Sequence, residues 1–149
     1  MKLRVDPDGR GIWLGDQHVP WAEVRVEDAV LGEGPDAFEH RSRHAWIPLE
    51  NGYRVSVTWG TGTYGSNYSL LDVLGPGERE WIEEPTEVEV AIVRMDDDGL
   101  VVLTYHADEG DDSVMGWVGI EELVDIIAKV ATWPSGLTEA PIPRVVTDE

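Results

Sequence analysis

Three Asx-Gly dipeptides, Asp8-Gly9, Asn51-Gly52 and Asp98-Gly99, each lie between two apolar-rich runs. Such pairs accept the positive φ of tight turns that join antiparallel strands. The arms are Leu3-Arg4-Val5 with Gly11 to Leu14, Ala45 to Glu50 with Tyr53 to Trp59, and Glu87 to Met95 with Leu100 to His106. In the second hairpin Val55, Val57 and Trp59 fall on one face, with Arg54, Ser56 and Thr58 on the other. In the third, Val88, Val90 and Ile92 alternate with Glu87, Glu89 and Ala91. A period of two marks strands with one buried face. A chain dominated by such hairpins is committed to an antiparallel sheet.

One segment has another period. Ile120, Leu123, Val124, Ile127 and Ala131 make a single apolar stripe of an α-helix. Glu121 and Glu122 in its first turn and Lys129 in its last suit the helix dipole. Pro134, Ser135 and Gly136 stop it. The pattern predicts a helix over about 120–132, packed on one face of the sheet. Val114 to Val118 reads as a short strand before it. The fold class is therefore α+β. Residues 27–44, 74–86 and 107–113 are polar and turn-rich and read as loops. Residues 1–136 form the expected single domain, and 137–149 an extended, acidic-ended tail.

Charge limits the partners. Thirty Asp and Glu against eleven Lys and Arg give a formal net charge of -19 over 149 residues. That field repels nucleic acids and anionic membranes and attracts cationic proteins. A GC-rich genome, suggested by nine Arg against Lys2 and Lys129, or a high-salt cytoplasm would give the same balance without a binding role. Cysteine is absent, which removes disulfides, thiolate metal sites and Cys nucleophiles. No leader-like or membrane-length apolar run is present, so the expectation is a soluble, cytoplasmic protein.

Motifs with chemical meaning are weak. Gly60-Thr61-Gly62-Thr63-Tyr64-Gly65 has dinucleotide-loop spacing, but Ser66 to Leu74 leaves too little room for the helix such a loop needs before Gly75-Pro76-Gly77. A glycine-rich strand end is the simpler account. His40 and His44 are four apart, yet Arg41 and Arg43 interleave and no third ligand is near. Asp96-Asp97-Asp98 and Asp108 to Asp112 match no calcium loop and read as a turn and a solvated loop. The sequence nominates no catalytic residue, metal or cofactor, and it reads as a non-enzyme.

Seven tryptophans complete the inventory. Trp13, Trp46, Trp59, Trp117 and Trp133 are expected in the core of a protein with one Phe. Trp21 and Trp81 lie in less regular stretches. Trp81 sits within Glu78-Arg79-Glu80-Trp81-Ile82-Glu83-Glu84, an aromatic in an acidic run.

In size, acidity and lack of cysteine or catalytic motif, the whole chain resembles the small acidic immunity and inhibitor proteins of bacterial and phage conflict systems. The resemblance implies neutralisation of a basic toxin or nuclease by electrostatic and steric occlusion. The nominated contact residues are Glu78, Glu80, Trp81, Glu83 and Glu84, then Asp108, Glu109, Asp111 and Asp112. A basic protein is the expected partner, with no nucleic acid and no membrane. Two other readings stay open: a β-rich structural or assembly subunit, for which an exposed apolar patch would speak, and an enzyme without a recognisable motif, for which a deep polar pocket would speak.

Overall fold

The hairpin arms pair as their alternation requires. A computed structural model describes residues 1–8, 10–31, 33–36, 38–60, 83–107 and 110–140. The strands are β1 (Leu3–Val5), β2 (Arg10–Leu14), β3 (Gln17–Leu31), β4 (Phe38–Pro48), β5 (Tyr53–Gly60), β6 (Glu87–Asp96), β7 (Gly99–Val102), β8 (Tyr105–Ala107), β9 (Gly110–Asp112) and β10 (Met115–Gly119). One α-helix, α1 (Ile120–Val130), follows among the described residues, and a 3-10 turn at Gly34–Asp36 lies between β3 and β4. The main sheet is antiparallel in the order β1-β2-β3-β4-β5-β6-β10, and β7 pairs with the other half of β6. β8 and β9 form a separate two-stranded ladder. The sheet curls: the Leu3 amide, on one edge strand, donates to the Pro85 carbonyl just ahead of β6 (2.9 Å).

Inward side chains make one core. Ile12, Leu14, Ala45, Ile47, Val55, Val57, Trp59, Val88 and Val90 are all buried, and α1 covers them with Ile120, Leu123 and Val130. Val124, Ile126 and Ile127 pack at its margin. The helix ends two residues before the expected stop, with Ala131 as C-cap. Its end is tied down by the second turn. The Asn51 side-chain amide donates to the carbonyls of Val130 (2.7 Å) and Trp133 (3.1 Å). The Val130 carbonyl also accepts the Trp133 amide (3.1 Å), so Asn51 fastens the turn that follows α1. The Tyr53 hydroxyl donates to Pro134 O and accepts from Leu137 N, while its ring meets Trp133 edge-on at 5.9 Å. Beyond it, Thr104 bridges in parallel to Glu139, and Ala140 is buried. Residues 141–149 lie outside the described residues.

Two expected loops are strand. Most of 27–44 belongs to the long β3–β4 hairpin, in which Asp28 lies opposite Arg41 and Leu31 opposite Phe38. Its outer pairs extend past the end of β5, where Gly60 faces Ser42. Backbone hydrogen bonds hold this arm without any inward-outward hydrophobic alternation, so its sequence resembles a loop. Likewise most of 107–113 is the β8–β9 ladder, with His106 opposite Asp111.

A bulge explains the first part of β3. Ile12 lies opposite Val19, but Arg10 lies opposite Glu23, so the inward side switches from Val19 to Ala22. Pro20, which has no amide to offer a ladder, stands at this break. Trp21 beside it is 53 % exposed. Gly11 on the partner strand has φ +82°, and a Cβ there would meet Asp6 Oδ2 at 2.8 Å and Pro20 Cα at 2.9 Å.

Candidate partner-binding face

The nominated acidic stretches are only partly visible. Glu78, Glu80, Trp81, Asp108 and Glu109 lie outside the described residues. Glu83 and Glu84 are exposed, and Glu83 Oε1 lies 3.6 Å from Arg43 Nε. Asp111 and Asp112 lie on β9, paired with His106 and Tyr105. The described carboxylates do not gather on one side. Exposed acids stand at the β1–β2 turn (Asp8), the β2–β3 turn (Asp16), on β3 (Glu23, Glu27), at the β4–β5 turn (Glu50), around the β6–β7 turn (Asp96 to Asp98) and on α1 (Glu121, Asp125). The charge is thus a property of the whole described surface.

What is gathered is apolar surface. The register Val93↔Val102 and Met95↔Leu100 sets these four residues on the sheet face opposite Val88, Val90 and Ile92. Val93 is 2 % exposed, whereas Met95 (57 %), Leu100 (52 %) and Val102 (39 %) are open to solvent. Trp117, on β10 along the same strand β6, is 47 % exposed. Its burial was expected from the strand pattern. The register instead slips between Met115 and Val118, and Trp117 has φ 55°. That left-handed conformation costs on the order of 1 kcal/mol for a bulky residue. Asp96, Asp97 and Asp98 border the row at the β6–β7 turn, with Asp96 Oδ1 accepting the Asp98 amide (2.8 Å).

The remaining tryptophans divide by face. Trp59 and Trp133 are buried, as expected, and the Trp59 indole N–H has no acceptor among the described residues. Trp13 and Trp46 are half-buried on the outward face, each against a histidine. His18 stacks on Trp13 (centroids 4.3 Å apart), and Asp6 accepts from both His18 Nε2 and Trp13 Nε1 at 2.7 Å. The His18 hydrogen bond, then those of Trp13 and the nearby cations, hold the Asp6 carboxyl below its ordinary range. His44 lies against Trp46 (4.1 Å) and bonds Ser56 Oγ through Nε2 (2.7 Å). Burial, then Arg25, pushes the His44 pKa down and favours its neutral form.

The His44–Ser56 pair has a base beside a hydroxyl, but Ser56 is only 7 % exposed and sits inside the strand ladder. A nucleophile needs access to its substrate. Among the described residues, no group of three or more His, Asp or Glu side chains is placed to hold a metal ion. Gly60, first in the glycine-rich motif, is explained by packing: a Cβ there would collide with the Arg41 carbonyl. The other residues of that motif lie outside the described ones. Arg43, buried on the inward face, pairs with Asp28 at 2.7 Å and thereby depresses the Asp28 pKa.

No family model, no curated protein and no solved structure matches this chain. Among the described residues, no helix is long and apolar enough to cross a membrane.

Proposed function

We propose that this chain is an acidic protein-binding module of the inhibitor or immunity type, and that it engages a cationic partner through the outward face of β6, β7 and β10. The observation that supports this reading is the exposed apolar patch of Met95, Leu100 and Val102 on the β6–β7 hairpin, with Trp117 exposed separately on β10, within an acidic surface. Contiguous exposed apolar surface marks interaction sites. The distributed negative charge selects and accelerates encounter with a positive partner, and the apolar row supplies desolvated contact. Because the described carboxylates are not one-sided, the field acts as a steering term and the contact rests on the apolar row.

The test is capture from native lysate of cells that carry the gene, at low and high salt, with the wild type and Leu100→Glu/Val102→Glu. The expected bait-dependent partner is a basic protein, recovered better at low salt and lost with the double variant. A neutral or acidic partner held equally at both salts would overturn the cationic-partner reading. The same apolar row favours a second reading, an assembly subunit of a larger particle. Salt-insensitive capture that still requires Leu100 and Val102 would select it.

A further inference from the structure

The main sheet has three described edges, and they differ. The β1 edge is clasped, since the Leu3 amide donates to the Pro85 carbonyl (2.9 Å). The β10 edge is broken by the register shift between Met115 and Val118. The β7 edge is regular, its pairs running without a shift from Val93↔Val102 to Asp96↔Gly99. The Leu103 amide, next in line, donates toward β6, to the Ile92 carbonyl (2.8 Å). Backbone groups alternate in direction along a strand, so the amides and carbonyls of Leu100 and Val102 point away from β6. They have no backbone partner among the described residues. Natural proteins guard such edges with lysine, proline, a bulge or a cover. Gly99-Leu100-Val101-Val102-Leu103 has no charge and no proline, and only the shortness of β7, four residues, limits pairing there.

Just beyond β7 the same edge already holds an added segment. The Thr104 amide donates to the Thr138 carbonyl (3.3 Å), and the Thr104 carbonyl accepts the Ala140 amide (2.6 Å), in a parallel bridge. That segment reaches the edge only at Thr138, because Leu137 before it donates its amide to the Tyr53 hydroxyl (3.0 Å). Leu100 and Val102 stay open to solvent. Three features set what fits beside them. Strand addition satisfies their outward backbone groups. Met95, Leu100 and Val102 share one face, so the added strand presents apolar side chains on that face at every second position. Asp96, Asp97 and Asp98 are exposed at one end of the edge and favour Arg or Lys at the adjoining end of the added strand. A second copy of this chain brings a further net charge of -19, which opposes it. We infer that β7 is a strand-addition site for an extended segment of the partner protein, with alternating apolar side chains and a cationic end beside the β6–β7 turn. The inference rests on the protein-binding reading above and names the binding mode and the partner segment.

A peptide of alternating valine and threonine that begins with an arginine pair tests it against the full chain, by calorimetry and by hydrogen exchange followed by NMR. The peptide binds one to one, and at saturation the amides of Leu100 and Val102 exchange at least about tenfold more slowly. Val102→Pro weakens binding at least about tenfold and leaves Tm within about 4 °C, because the amide it removes faces away from β6. Val102→Thr, which keeps the amide and the branched shape, weakens binding less than about threefold. Glutamate in place of the arginine pair weakens it at least about fivefold at low salt. The inference is overturned if the peptide does not bind, if it binds without slowing exchange at Leu100 and Val102, or if Val102→Pro binds it as the wild type does. Self-association of the free chain that protects those two amides also overturns it and selects a second copy as the occupant. Should Val102→Pro unfold the chain, N-methylated peptides decide: methylation of one alternating set of peptide amides abolishes binding and of the other does not, and binding that survives both overturns the inference. Failure of these tests, with Leu100- and Val102-dependent capture of a basic protein intact, removes the added strand alone and leaves the module reading standing. Peptide binding as expected, with no such capture, fails the module reading instead.

Discussion

Val55, Val57 and Trp59 point under the helix, while Arg54, Ser56 and Thr58, each one residue away, point to the other side of the sheet. On the inward face, apolar side chains pack without polar interruption until Arg43 and its Asp28 partner at the margin. On the outward face, histidines lie against tryptophans, Asp6 accepts from His18 and Trp13, and apolar side chains stand open. The contrast teaches a division of labour. Burial on the inward side stabilises the fold, and this leaves the outward side free to carry side chains that stability does not select.

Substitutions should break that contrast by amounts that fall in order. Trp59→Ala removes the largest fully buried side chain and should cost about 4 kcal/mol in denaturant unfolding. Leu123→Ala, which opens a cavity between helix and sheet, should cost about 3 kcal/mol by the same measurement. Equal effects from Met95→Ala would erase the distinction between faces. Asn51→Ala removes the side-chain donor that ties the Val130 and Trp133 carbonyls to the β4–β5 turn and should cost about 1–2 kcal/mol, with earlier hydrogen exchange at the end of α1.

His44 sharpens the comparison by titration. Its folded pKa lies below the ordinary 6.5, so the unfolded chain binds the proton more readily. The contribution of neutral His44 is present above about pH 6.5 and is lost as pH falls through the lower folded value. Chemical denaturation at successive pH values should show stability falling over that window, and His44→Gln should flatten the fall. The smallest change belongs to the exposed row: Leu100→Ser should shift stability by less than about 0.5 kcal/mol while weakening partner capture. A Tm drop comparable to that of Leu123→Ala would show that Leu100 belongs to the structural side.

The inward face was legible because its alternation is regular and its turns are Asx-Gly. Val88, Val90 and Ile92 and the stripe from Ile120 to Ile127 declare their periods directly. The β3–β4 arm was not legible, since Glu27, Asp28, His40 and Arg41 offer no apolar period and Gly32, Gly34 and Pro35 read as punctuation. Trp117 escaped for a different reason: an inserted residue reverses the side on which a strand position falls, and periodicity carries no mark of it. Trp13 lies in the run Ile12-Trp13-Leu14, whose unbroken apolarity hides which residues turn inward. The exposed row did leave a signal. If Val88, Val90 and Ile92 point in, Met95, on the opposite parity, must point out, and an open apolar residue on that side announces a contact.

The bond from the Leu3 amide to the Pro85 carbonyl joins the first strand of the sheet to the segment that leads into β6, across β2 to β5, which follow one another along the chain. Neighbouring hairpins can zip locally and early, but this clasp must wait until both halves of the polypeptide are in place. The curl of the sheet is therefore a late event on the way to the native state. Deleting the first strand should speed unfolding far more than it slows folding, a partition that stopped-flow kinetics would read directly.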